Sequence, residues 1–212
     1  MNTNNHFKIL HDVACYYSNK IEQHGVSPQG VDWNSVSSQE LRFAQLIKPC
    51  ENDSDFTIND LGCGYGALYD YLVKRDVNFK LYYGIDVSCT MIKHALDLHE
   101  DNTKCRFDAG GQLKVADYSI CSGIFNVKLQ HNDTEWQEYV LSVLNDLHQN
   151  SIKGFAFNCL TKYSDKEKKR NDLYYADPCF VFDFCKRNFS KNVALLHDYG
   201  LYEFTIIVRG NK

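Results

Sequence analysis

The chain has 212 residues, 44% hydrophobic and 24% charged, with a formal net charge of -4 at pH 7, enough apolar material for one full core. The mildly acidic balance argues against nucleic acid as a partner, because a surface that neutralises phosphates carries a basic excess. The start MNTNNHFKIL has no basic stretch ahead of an apolar core, and no run approaches the ~18 apolar residues of a membrane span; a cytoplasmic protein without a membrane partner is expected.

Phe7, Leu10, Val13, Ala14, Tyr17 and Ile21 recur at helical spacing and Gly25 sits where a helix would stop. This first helix either packs on the sheet or forms a lid with Tyr16 or Tyr17 facing a ligand. The turn-rich stretch VSPQGVDWNSV follows and carries Trp33. Ser37 with Glu40 reads as a capping box for a helix over about 39–48, with Gln39 and Arg42 on nearby faces of its first turn. Phe56, Ile58 and Leu61 are spaced as a strand, and the chain then turns through Gly62, Gly64 and Gly66 into a helix ending near Lys74. KLYYGID returns as a strand, and Ser88 caps a helix with Met91, Ile92, Ala95 and Leu98 on its inner side.

CRF begins a short third strand ending at Asp108, before the loop AGGQLKVA. Residues 118–125, YSICSGIF, have the near-continuous apolar character of a parallel strand buried on both faces. Asp133 or Thr134 opens a helix with Trp136, Tyr139, Val140, Val143, Leu144 and Leu147 at helical spacing, and GFAFNCL is a fifth strand. TKYSDKEKKRND reads as a solvated loop or exposed helix, its basic residues interleaved with acids. Asp177 and Pro178 cap and open another helix, with Phe180, Val181, Phe184 and Cys185 inward. NVALLHDYGLYEFTIIVRG closes the chain as an antiparallel hairpin turning at 198–201.

Strand and helix alternate, which predicts an α/β fold with a doubly wound, mostly parallel sheet, helices on both faces and a C-terminal antiparallel hairpin. The expected organisation is a single domain over 1–212, with 1–50 as an N-terminal helical cap and 161–191 as an insertion before the hairpin. The nine cysteines are dispersed and odd in number, and none forms a Cys-x-x-Cys pair, so reduced thiols and no structural metal are expected.

A strand, a glycine turn and a helix start bring backbone N–H groups close to a ligand. Asp86, at the end of the second strand, places a carboxylate at the same sheet edge, where it can accept hydrogen bonds from a ribose diol. Together these read as a nucleoside-cofactor site. Gly62-x-Gly64-x-x-Ala67 satisfies even the loose dinucleotide fingerprint, so NAD(P) stays open on the turn alone. Asp60, immediately before the turn, would repel a pyrophosphate and welcome an ammonium group. Asp108 can accept from an adenine amino group.

These residues resemble the class I S-adenosylmethionine-dependent methyltransferases, a Rossmann-like family: DLGCGYG its first motif, LYYGID its second, RFDAG its third and ADYSICSGIF its fourth strand. The resemblance implies a seven-stranded sheet whose last strand inserts antiparallel, S-adenosylmethionine as cofactor and S-adenosylhomocysteine as product. It implies that Gly62, Cys63 and Gly64 lie against the methionine moiety with Asp60 near its ammonium group, and that Asp86 holds the ribose hydroxyls. Val87 and Met91 would flank the adenine, Asp108 and Ala109 would meet its polar edge, and Ser122, Gly123 and Ile124 would line the sulfonium side. Arg42 is added to this cofactor set.

The function implied is in-line methyl transfer, to a small-molecule acceptor over nucleic acid because the balance is acidic and the Asn/Asp-Pro-Pro-Tyr run suited to amino groups of adenine or glutamine is absent after the fourth strand, with protein substrates left open. An NAD(P)-dependent oxidoreductase and a non-catalytic S-adenosylmethionine-binding protein are the alternatives. The expected acceptor-facing candidates are Asn126, Tyr174, Tyr175, Asp177 and His197, with His197 as a possible base.

Overall fold

The computed structural model describes residues 3–210, with side chains from His6 onward, so the outermost residues of the expected 1–212 domain, 1, 2, 211 and 212, lie outside the described residues. Seven strands form one sheet: β1 Phe56–Leu61, β2 Phe79–Asp86, β3 Cys105–Ala109, β4 Ala116–Cys121, β5 Ser151–Leu160, β6 Asn192–Leu196 and β7 Glu203–Arg209. Their order is β3-β2-β1-β4-β5-β7-β6. β1 to β5 pair in parallel, while β7 inserts between β5 and β6 antiparallel to both. The connection within this closing hairpin is residues 197–202, longer than the turn expected at 198–201. No helix among the described residues is long and apolar enough to cross a membrane.

Side chains alternate across the strands, so each sheet face has its own core. On one face Ile58, Tyr82, Phe107 and Ile120 pack with α3 (Ala67–Lys74), α4 (Cys89–Leu98) and α2 (Val36–Leu46). On the other, Leu61, Ile85, Cys121 and Phe157 pack with α5 (Asp133–Gln149) and α6 (Pro178–Asn188). Trp136 of α5 is fully buried there and donates its indole N–H to the Phe125 carbonyl at 2.8 Å.

Local sequence sets the helix ends. Ser88 accepts from the Met91 N–H, and Asp177 accepts from the Cys179 N–H with Pro178 in the first turn. α2 starts earlier than expected: Ser35, not Ser37, is the cap, accepting from Ser38 N–H, which leaves Gln39 and Arg42 buried within the helix. Leu98 and Phe180 face solvent, since each lies outside the apolar stripe of its helix. β4 stops at Cys121, short of Phe125, because Gly123 at φ +77° turns the chain out of the sheet.

The crossover from β3 to β4 has no helix; it is residues 110–115. The strand registers put Phe107 level with Ile120, so the link from Ala109 to Ala116 crosses three strand spacings, roughly 14 Å, and descends roughly 20 Å. Seven Cα steps reach at most roughly 25 Å, so this segment has no length to spare for a helix; it bends at Gly110 and Gly111 and then runs irregularly to β4. So short a link covers little of the sheet face. The N-terminal helix α1 (Thr3–His24) fills that space: Ile9 and Val13 join Leu113, Tyr139, Val140 and Val143 in one core cluster. Farther along α1, Ile21 meets Tyr65 and Met91, and Ser18 Oγ lies 2.8 Å from Ser88 Oγ at the α4 cap. Tyr16 and Lys20 both hold Asp32, fixing the following loop to the helix.

Ile9 is fully buried where α1 docks. Ile9→Ala is expected to cost about 2 to 4 kcal/mol of stability by cavity formation, read from urea unfolding as a lower midpoint at unchanged slope.

Candidate functional site

At the C-terminal ends of β1, β2 and β4 the sheet opens into a cavity of about 500 Å³, within the range of small-molecule sites. Its floor is Asp60, Leu61, Gly62, Cys63 and Gly64 from the first strand and turn, Asp86 and Val87 from the second, and Ser122, Gly123 and Ile124 after the fourth. Leu10, Val13 and Tyr17 of α1, Val31 and Trp33 of the following loop, and Gln39 and Phe43 of α2 form the cover.

Gly62 holds φ +78°, and a Cβ there would lie 2.1 Å from Ile124 Cγ2, so only glycine lets the turn fit beneath the β4 end. The turn aims the Gly64 N–H at Asp86, whose Oδ2 accepts it at 2.9 Å, while Oδ1 accepts from the Ser88 N–H at 2.8 Å. Burial raises the Asp86 pKa and these two N–H donors oppose the rise. Each carboxylate oxygen keeps a further lone pair for a ligand hydroxyl.

Asp60 is also buried, but less well paired. Its Oδ2 accepts from the Tyr82 hydroxyl at 2.6 Å, and its Oδ1 has no partner among the described residues. Burial pushes its pKa up to about 7, the Tyr82 hydrogen bond works against that, and the nearby Asp86 charge adds to it. Such a group gains from a cationic donor supplied by a ligand.

Behind the β4 end lies a chain of buried polar contacts. Gly123 N–H donates to Asn158 Oδ1 at 2.7 Å, and Asn158 Nδ2 donates to Glu203 Oε2 at 2.8 Å. Glu203 Oε1 sits 2.5 Å from Arg42 Nε, and the Arg42 guanidinium lies 4.0 Å from the Trp33 ring centroid. Burial lifts the Glu203 carboxyl to about 7, with Arg42 and Asn158 holding it down. The circuit closes on itself: a Cβ at Gly123 would meet the Trp33 ring at 2.5 Å.

Of the residues expected to hold the cofactor, Asp60, Gly62, Cys63, Gly64, Asp86, Val87, Met91, Ser122, Gly123 and Ile124 line this one cavity. Asp108 and Ala109 do not: both are exposed on the edge strand, where Asp108 faces Lys114, and Gly111, Gln112 and Leu113 line the wall there instead. Arg42 stands behind the wall because Glu203 draws its guanidinium away from the cavity. None of the acceptor-facing candidates is in the lining. Asn126 is spent on the Leu160 N–H, Tyr174 is core, Tyr175 accepts from Arg170 N–H, and Asp177 caps α6 and pairs with Lys162. His197 is exposed in the hairpin loop against Tyr163 and Phe204. Among the lining residues without an advance assignment, Val31, Trp33, Gln39, Phe43 and Tyr65 come from the cover and the turn, and His6, Tyr139, Asp146 and Asn150 from α1, α5 and the C-cap of α5. The available signal was a tryptophan in a turn-rich polar loop.

No protein-family model matches the chain. A protein of Mycobacterium tuberculosis (strain ATCC 25618 / H37Rv) named "Putative methyltransferase Rv1506c" is 57% identical over 156 residues, 73% of this chain and 93% of that protein. Among solved structures, the N-methyltransferase NodS from Bradyrhizobium japonicum WM9, in complex with S-adenosylhomocysteine, superposes with a TM-score of 0.66 at 12% identity, over 94% of this chain and 98% of that one. Magnesium protoporphyrin IX methyltransferase (ChlM) from Synechocystis PCC 6803, with the same product bound, gives 0.64 at 14% identity, over 95% and 99%. The small RNA methyltransferase HEN1 gives 0.60 at 17% identity, over 83% of this chain and 25% of that one. At these identities the structures carry the fold.

Asp60 and Glu203, both near 7 when folded, hold protons that the unfolded chain releases near pH 4. Their contribution to stability is therefore full below about pH 4 and is lost as the pH rises to about 7. Asp60→Asn keeps an acceptor for Tyr82 and removes this loss. Thermal unfolding is expected to show the variant melting several °C above the parent at pH 8, with a smaller gap at pH 5.

Proposed function

The chain belongs to the class I S-adenosylmethionine-dependent methyltransferases, and on that premise we propose that it passes the methyl group to a small-molecule acceptor. The cofactor is S-adenosylmethionine and the product S-adenosylhomocysteine. When bound, the cofactor supplies a methyl group on a sulfonium, which is already an excellent leaving group.

The observation that carries the site assignment is the pair of buried carboxylates at the ends of adjacent strands, one of them with an unpartnered oxygen. Asp60 takes the ammonium group, Asp86 the ribose hydroxyls, and the backbone of Gly62, Cys63 and Gly64 the methionine moiety. Val87 and Met91 flank the adenine, whose polar edge meets the segment with Gly111, Gln112 and Leu113 in place of Asp108 and Ala109. Ser122, Gly123 and Ile124 border the sulfonium side. A dinucleotide fits this wall poorly, because its pyrophosphate would lie against Asp60.

The protein's own contribution is to align two reactants and keep water out, which is worth roughly 7 to 11 kcal/mol in well-oriented systems. α1, the loop with Val31 and Trp33, and α2 do this by roofing the sheet edge with mostly apolar side chains. The same roof supports a small acceptor. HEN1 is named for small RNA; a cavity of about 500 Å³, shared with the cofactor, in a chain of net charge -4 favours a small acceptor over a nucleic acid. The single domain, with its first helices as cap and the segment before the hairpin as an insertion, is part of this reading.

Calorimetry tests the cofactor site directly. The protein is expected to bind S-adenosylhomocysteine at micromolar concentration, and absence of binding at millimolar ligand would overturn the reading. Asp86→Ala is expected to weaken binding roughly tenfold to a hundredfold, the value of a hydrogen-bonded charged acceptor; parental affinity would mean the ribose lies elsewhere. Binding of an ammonium requires ionised Asp60, whose pKa is about 7 in the free protein. Affinity is therefore expected to rise about tenfold from pH 6 to pH 8 with proton release, and to be flat with pH in Asp60→Asn.

A further inference from the structure

We propose that the acceptor is an uncharged, planar aromatic molecule seated against Trp33, with its hydroxyl or ring nitrogen directed toward the methyl donor. This deepens the small-molecule reading above and rests on it.

Trp33 lies in the cavity wall, yet it is held from behind by groups on three other elements. Arg42 of α2 covers it at 4.0 Å, Glu203 of β7 holds Arg42, and Asn158 of β5 ties Glu203 to the Gly123 N–H beside the ring edge. An indole fixed in this way offers a flat surface that loses little freedom when a ligand stacks on it. Val31, Phe43 and Tyr65 line the same cavity and supply further apolar walls. The buried Ser122 hydroxyl, also in the lining, has no partner among the described residues, and it is a hydrogen-bonding group left for a ligand.

Charge weighs against the alternatives, the lining acids being Asp60 and Asp86, which the cofactor takes, and Asp146, which has His6 nearby. No lysine or arginine is among the described residues lining the cavity, so an anionic acceptor would be buried without a counter-ion. The Arg42 charge is taken by Glu203 and is not free to serve. A cationic acceptor stacked on the indole would compete with the guanidinium, 4.0 Å from the ring centroid, for the same π density. A neutral ring avoids both costs. In the transfer, a lone pair of the acceptor forms the bond to the methyl carbon as the carbon–sulfur bond breaks. The electron pair of that bond goes to sulfur, and any proton on the accepting atom is lost to bulk solvent at the cavity mouth as the methylated product leaves.

The chain has two tryptophans, and Trp136 is fully buried outside the cavity lining, so ligand-dependent fluorescence reports Trp33. The S-adenosylhomocysteine-loaded protein would be titrated with 2-naphthol, quinoline, N-methylquinolinium, 2-naphthoate and decahydro-2-naphthol, with calorimetry in parallel. The naphthol and quinoline arms separate a hydroxyl from a ring-nitrogen acceptor. The expected result is saturable quenching by at least one of them, with affinity at least about tenfold above the cation, the anion and the saturated alcohol. Trp33→Leu is expected to lose at least about tenfold by calorimetry and Trp33→Phe to recover part of it, with cofactor-product affinity changed less than about threefold in both.

Equal binding of the charged or saturated compounds would overturn the proposal, as would unchanged affinity in Trp33→Leu, or no binding by either neutral aromatic while S-adenosylhomocysteine still binds. Failure to bind S-adenosylhomocysteine at all would instead sink the underlying cofactor-site reading.

Discussion

The site depends on burying two carboxylates, Asp60 and Asp86, at the ends of neighbouring parallel strands. Burying a charged group without compensation is costly, and the chain compensates the two unequally. Asp86 receives two backbone N–H donors, one of which exists only because the glycine turn points it there. Asp60 receives one phenol, from Tyr82 on the next strand. The β1–β2 register, with Asp60 opposite Gly84 and Ile58 opposite Tyr82, places that phenol within reach. Gly84 is needed in turn, since a Cβ there would lie 2.4 Å from Phe107. Strand register, glycine positions and aromatic packing therefore all serve one unequal pair of acids.

The second constraint runs behind the site. β7 enters the sheet antiparallel, and its first residue, Glu203, is a buried acid. Its partners come from α2 and β5, so the pair Arg42 and Glu203 links the cover to the sheet. A buried ion pair of this kind is a weak source of stability, because desolvation offsets most of the attraction. Its structural effect is geometric: it sets the Trp33 ring against Gly123 and so fixes one wall of the cavity.

Much of this architecture was legible in the residues. The strand, glycine turn and second acid are local in sequence, and local steric rules dictate their form. The helix caps at Ser88 and Asp177 were legible for the same reason. The fourth strand read too long because YSICSGIF is apolar nearly throughout, and only the left-handed conformation at Gly123 marks where pairing ends. The acceptor side was not legible. Tyr174, Tyr175 and Asp177 carry suggestive chemistry, but tertiary neighbours consume it. Arg42 looked available because its partner, Glu203, lies 161 positions away on a strand whose burial no local pattern announces. Asp108 looked placed because β3 ends there, yet β3 is the sheet's edge and the side chain turns to water.

The short, helix-free link between β3 and β4 has a consequence for the order in which the protein assembles. A crossover helix would have covered the sheet with residues adjacent in sequence; here that surface is covered by α1, whose Ile9 and Val13 join Tyr139 and Val143 in one core cluster across some 130 intervening positions. Closing so long a loop is slow, and it rewards the chain only after α5 is in place. α1 is made before its docking surface exists. The sheet and its glycine turn can therefore form while the cavity still lacks part of its roof, and α1 docking is the folding event that encloses it.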